Sequence, residues 1–124
     1  MENANSARII SAIKNVRAPA MPGEYDIHAM ISDALSAAEI SHEHEYRLGP
    51  RCRLDFMCGN IAVEIKKGKP QRAELMKQLS RYMQSPEVEE MVVVVQKRVS
   101  LPETLCGKRL HMISLNMLWG VALP

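Results

Sequence analysis

Arg53-Leu54-Asp55-Phe56-Met57-Cys58-Gly59-Asn60-Ile61-Ala62-Val63-Glu64-Ile65-Lys66 is the stretch on which the reading of the whole chain turns. Gly59-Asn60 suits a two-residue hairpin loop, with glycine at the first position of a type II′ turn. Cys58 then pairs with Ile61, Phe56 with Val63, Asp55 with Glu64, Leu54 with Ile65 and Arg53 with Lys66. Side chains alternate between the two faces of a strand. One face therefore carries Leu54, Phe56, Cys58, Ile61, Val63 and Ile65, all apolar, and is expected to pack on the core. The other carries Arg53, Asp55, Met57, Ala62, Glu64 and Lys66.

On that register Asp55 and Glu64 oppose each other in mid-hairpin, and directly opposed like charges destabilise a sheet. A bound cation would relieve the repulsion. Two carboxylates completed by water and substrate oxygens are typical ligands of Mg²⁺. Lys66 follows Glu64 on the same face, within reach of a phosphate oxygen or of a water beside the metal. Such a set suits hydrolysis of a phosphodiester, the metal polarising the phosphate and the lysine offsetting the charge that develops. The same alternation also suits an amphipathic hairpin whose polar face meets solvent, with Arg53 and Lys66 neutralising the acids. A bulge or a longer loop would shift the register and dissolve the pairing.

Outward from the hairpin, the spacing predicts a short helix over 6–17 and a stronger one over 24–39, with Ile27, Met30, Ile31, Ala34, Leu35 and Ala38 at helical intervals. Extended segments follow at 43–48, 53–58 and 61–67, separated by Gly49-Pro50 and Gly59-Asn60. A helix over 71–84 lies between Pro70 and Pro86. Met91–Val95 is a continuous apolar run, as expected of a strand buried on both faces. A turn or short helix over 101–105 leads to a last strand over 111–115. Three meandering strands and a crossover helix predict an α/β fold, a mixed central sheet flanked by helices.

The chain has 124 residues, which suits a single domain. Its first 22 residues read as a helical extension and 24–115 as the core. Only 4% of residues are aromatic, which argues against an extended base-stacking platform. The net charge of +2 is uninformative, but its distribution is not. Arg47, Arg51, Arg53, Lys66, Lys67, Lys69, Arg72, Lys77 and Arg81 share one segment with just three acids, Asp55, Glu64 and Glu74. A basic segment enclosing a few acids suits a polyanion partner with a metal site inside it, and equally a solvated charged face. Cys52, Cys58 and Cys106 form no CxxC pair and read as free thiols in a reducing compartment. The N-terminus lacks the apolar run of a signal peptide, and no stretch is long enough to span a bilayer. Cytoplasmic placement and no membrane partner are the expectation.

Asp55 followed nine residues later by Glu64-Ile65-Lys66 resembles the motif of the PD-(D/E)xK nuclease superfamily, small phage-encoded nucleases among its members. The order of elements from about residue 24 to 115 agrees with it. The resemblance implies the restriction-endonuclease-like fold with an α-β-β-β-α-β core. It implies Mg²⁺, with Mn²⁺ able to substitute, bound by Asp55, Glu64 and the main-chain carbonyl of Ile65, with Lys66 acting on the nucleophilic water. Leu54 stands where the motif name has proline, and the second acid is Glu, which the pattern permits. Gln78-Leu79-Ser80-Arg81-Tyr82 looks like the Q-x-x-x-Y element of some branches, and residues four apart share a helix face. Tyr82 also fits a core position beside Leu75 and Leu79. Glu24 continues the apolar stripe of its helix, where many members carry a glutamate beside the metal. Its other reading is a helix N-terminal acid complementing the dipole.

The implied activity is metal-dependent, endonucleolytic cleavage of nucleic acid, DNA before RNA, by a homodimer or higher assembly. Arg53, Lys67, Lys69, Arg81 and Tyr82 are the candidate nucleic-acid contacts. The alternative is a binding or assembly module of the same fold without cleavage. A metal protein acting on a phosphorylated small molecule is a third reading, which the basic stretch disfavours. His42 and His44 share a strand face but have no third ligand nearby in sequence, and they read as a solvent-facing strand start. Glu45 is a further acid that could approach the metal.

Overall fold

The computed structural model describes residues 5–16 and 24–115, with side chains from Ile27 onward in the second helix. The elements are α1 (Ser6–Lys14), α2 (Glu24–Ala37), β1 (Glu43–Gly49), β2 (Cys52–Cys58), β3 (Ile61–Lys66), α3 (Arg72–Met83), β4 (Glu90–Val95), β5 (Thr104–Leu105) and β6 (Lys108–Ser114). The strands form one six-stranded mixed sheet in the order β1-β2-β3-β4-β6-β5. The pairs β1–β2 and β2–β3 are antiparallel, β3–β4 and β4–β6 are parallel, and β5–β6 is antiparallel. The expected α/β class, a mixed sheet flanked by helices, is the observed one. No described helix is long and apolar enough to cross a membrane.

Helices cover both faces of the sheet, so the core has two halves. On one side Ile9 and Ile13 of α1 and Ile27, Ile31 and Leu35 of α2 pack with Phe56, Val63, Ile65, Val92 and Val94. On the other, Leu75, Leu79, Tyr82 and Met83 of α3 pack with Met57, Ala62, Met91, Val93 and Val95. β4 contributes to both, which is why its sequence is apolar without alternation. Asn5 caps α1 by accepting from the amide of Arg8 at 2.9 Å, and the Arg8 guanidinium donates to the carbonyl of Ala38 at 3.0 Å, tying α1 to the end of α2.

The last two strands differ from expectation. β6 begins at Lys108, earlier than predicted, and the residues expected to form a turn or short helix include β5, its hairpin partner. The loop between them, Cys106-Gly107, has positive φ at both residues (54° and 74°), the requirement of a type I′ turn. Lys108 is the reason that a strand can begin on a lysine there. Its Nζ donates to the carbonyls of Met83 (2.7 Å), Ser85 (3.0 Å) and Val88 (2.6 Å), gathering the oxygens at and beyond the C-terminal end of α3. A cation is favourable at that negative end of the helix dipole.

The hairpin register is the predicted one near its turn: Cys58 pairs with Ile61, Met57 with Ala62 and Phe56 with Val63. Gly59 takes the positive φ (63°) that the first loop position of a type II′ turn needs. Two corrections apply further along. The ladder stops at Phe56–Val63, so Asp55–Glu64, Leu54–Ile65 and Arg53–Lys66 are not ladder pairs. Leu54 is also not on the face of Phe56. It belongs to the α3-side core with Tyr46 and Leu48, whereas Phe56 and Cys58 lie on the α2 side. The neighbouring strand switches with it, since His44 stacks on Phe56 while Tyr46 packs on the α3 side. The step lies between the pairs His44–Phe56 and Tyr46–Leu54, at Glu45 and Asp55, and Glu45 has a left-handed φ of 57° there. Strict alternation presumes extended backbone throughout, and one left-handed residue is enough to break it.

Candidate active site

Where the ladder stops, side chains replace the missing main-chain bonds. The Asp55 amide donates to Glu64 Oε1 at 3.1 Å, and the Ile65 amide donates to Asp55 Oδ2 at 2.7 Å. Each carboxylate thus reaches across to the opposite strand. An amide on each strand is satisfied in this way, and the exchange draws the two acids together where the ladder has opened.

Glu64 is 3% exposed, the one buried charged residue among the described residues. Lys66 Nζ lies 3.5 Å from its Oε2. The Tyr82 hydroxyl lies 3.3 Å from the same oxygen and 3.2 Å from the carbonyl of Arg53, and it accepts from Gln78 Nε2 at 2.9 Å. A phenol has one proton, so it serves either Glu64 or the Arg53 carbonyl at a time. Burial and then the neighbouring Asp55 push the Glu64 carboxyl up from 4.5 to about 7, against the opposing pull of Lys66, the Asp55 amide and Tyr82. Burial, and next to it Glu64, raise the Tyr82 phenol. The buried cluster therefore disfavours the charged form of Glu64.

The predicted site residues fall into three groups. Asp55, Glu64, Lys66, the Ile65 main chain, Gln78 and Tyr82 come together. Tyr82 does so as a buried residue, 4% exposed, holding Glu64 from the α3 core; it is not a surface contact for nucleic acid. Arg81 lines a groove of about 440 Å³ beside Lys66, together with Gln71, Glu74, Lys77 and Gln78. Lys67 and Lys69 are exposed beyond the groove lining. Arg53 is exposed, and its nearest recorded acid is Glu45 at 3.9 Å. That places Glu45 on the outer surface with Arg53, more than half exposed. Glu24 is the first residue of α2, and its side chain lies outside the described residues.

Lys77 was missed by sequence reasoning. Its signal was available: Lys77 and Arg81 are four apart, hence on one face of α3. His28 was missed as well. Its Nε2 lies 3.8 Å from Asp55 Oδ1, and its Nδ1 lies 3.2 Å from His44 Nε2. His44 is exposed as expected, but its ring stacks on Phe56 with centroids 4.7 Å apart, and His42 meets Phe56 edge-on at 5.7 Å. The pair is thus part of a packed imidazole cluster instead of a bare strand start.

The Asp55 and Glu64 carboxylates are hard oxygen donors. Among the described residues no group of three or more His, Cys, Asp or Glu side chains is placed to hold a metal. Compared with known proteins, the chain matches no family model, no curated relative and no solved structure.

Proposed function

We propose that the protein is a magnesium-dependent nuclease of the PD-(D/E)xK kind, with the restriction-endonuclease-like fold, that cuts DNA internally. The observation that carries this reading is the meeting of Asp55 and Glu64 at the open end of the β2–β3 hairpin, with Lys66 on Glu64. The succession α2-β1-β2-β3-α3-β4, with α2 and α3 on opposite faces, supports the fold assignment. Asp55, Glu64 and the Ile65 carbonyl would hold Mg²⁺. When bound, the ion would supply Lewis-acid polarisation of the phosphodiester and a lowered pKa for the attacking water.

The protein's own residues then have distinct tasks. Lys66, half-buried and within 3.5 Å of Glu64, orients a water at the groove mouth and offsets negative charge as it develops on the phosphate. Tyr82, itself held by Gln78, fixes the Glu64 carboxylate from behind. Lys66, Lys77 and Arg81 give the adjoining groove the charge to receive a phosphate backbone, and exposed Arg53, Lys67 and Lys69 can hold flanking phosphates.

The test is incubation with Mg²⁺ or Mn²⁺ and a panel of linear, nicked, single-stranded and branched DNA, with RNA as a further substrate. Metal-dependent internal cutting of DNA is expected, with Glu64→Ala and Lys66→Ala each slower by about 100-fold or more. No metal-dependent cutting of any substrate overturns the proposal. Binding without cutting points to a non-cleaving module of the same fold, and equal cutting by the variants points to a contaminant.

A further inference from the structure

We propose that His28, anchored by His44, is the positioning residue for the Asp55 carboxylate and thereby sets how tightly the site takes a divalent cation; this rests on the metal site proposed above. The two oxygens of Asp55 are treated differently. Oδ2 is fixed by the Ile65 amide at 2.7 Å, and Oδ1 faces His28 Nε2 at 3.8 Å. An imidazole has two nitrogens, and each in His28 lies near a different partner: Nδ1 at 3.2 Å from His44 and Nε2 at 3.8 Å from Asp55, beyond hydrogen-bond range but close enough for electrostatic contact. The arrangement in which His44 Nε2–H donates to His28 Nδ1 leaves the His28 proton on Nε2, the nitrogen on the carboxylate side.

The surroundings pack the imidazoles together. His28 and His44 meet edge to face with centroids 5.5 Å apart, and His44 lies almost flat on Phe56 at an interplanar angle of 24°. Phe56, beneath them, is fully buried. His42, next along, is itself held by Ser32 Oγ at 3.2 Å and by the Ile40 carbonyl at 2.9 Å. The His28 side chain is only 14% exposed. A histidine kept solely for packing has no need of a nitrogen facing a carboxylate. Partners behind a metal-binding carboxylate fix its direction and commonly change metal affinity by about 10- to 100-fold when removed.

The experiment is calorimetric titration of the purified, metal-stripped protein with Mn²⁺ at one fixed pH, with thermal melts to verify folding. His28→Ala is expected to weaken Mn²⁺ binding by about 10-fold. His28→Gln keeps an N–H donor on a side chain of similar reach and is expected to remain within about 3-fold of wild type. His44→Phe keeps the ring on Phe56 but removes the nitrogen that holds His28, and about a 3-fold weakening is expected. If His28→Ala does not fold, the other two variants carry the test. Equal affinity in wild type and His28→Ala overturns the inference alone, as does His28→Gln binding as weakly as His28→Ala, or His44→Phe binding as tightly as wild type. A wild-type protein that binds no Mn²⁺ overturns it together with the metal site.

Discussion

The two ends of one hairpin obey different rules. From Phe56–Val63 to Cys58–Ile61 the strands are zipped in regular register, and every side chain there is apolar and buried. From Asp55–Glu64 outward the ladder has opened, and carboxylates take the place of carbonyls as acceptors for main-chain amides. The closed end is where burial concentrates stability. The open end spends some of that stability to bring two acids together without leaving an amide unsatisfied. One strand pair is therefore a regular scaffold along one half and a cluster of acids along the other.

The sharpest way to break the contrast is at Phe56, the floor on which both ends rest. Phe56→Ala removes a fully buried aromatic ring and is expected to cost about 3–5 kcal/mol in denaturant unfolding. The open end should respond in the opposite sense. Glu64 has an ordinary pKa of 4.5 and one of about 7 in the folded chain. Between these values the folded protein keeps a proton that the unfolded chain releases. Stability contributed by this group therefore falls as pH rises from 4.5 to 7, by about 3 kcal/mol in all. Glu64→Gln removes that fall. Unfolding in a chelator should find the variant more stable than wild type at pH 8 and little different at pH 4.

Smaller effects sharpen the comparison. Gly59→Ala places a Cβ on a left-handed residue at the closed end and should cost about 1–2 kcal/mol, read as a lowered Tm. Asp55→Asn keeps an oxygen for the Ile65 amide while removing the charge that opposes Glu64 ionisation. The Glu64 titration midpoint, followed by carboxyl NMR, should then drop below about 7 and stay above 4.5, because burial is the larger cause and remains.

The closed end was legible from the amino acids alone, and the open end was legible only in part. Period-two alternation around Gly59-Asn60 sets a register that only its own turn can satisfy, and Met91–Val95 can be little else than a strand buried on both faces. That Asp55, Glu64 and Lys66 belong together also followed from spacing. What alternation could not convey is a switch of faces. Leu54 crosses to the α3 side because β1 and β2 break step together at Glu45, and a left-handed glutamate carries no signature in composition. His28 was hidden for a related reason: its partners come from β1 and β2, far away in sequence. Lys108 was hidden because a lysine in a strand reads as surface, whereas three carbonyls left over at the end of a distant helix make it a structural cation.

That lysine has a consequence in time. A chain is synthesised from its N-terminus, so Asp55, Glu64, Lys66, Gln78 and Tyr82 all leave the ribosome before the residue that gathers the loose end of α3. Until Lys108 emerges, the helix that supports Glu64 from behind lacks one of the ties at its far end, where Tyr82 and Met83 are otherwise held by core packing. The last hairpin acts as a latch on the helix behind Glu64, so the alignment of the open end depends on a residue far downstream of it in the chain.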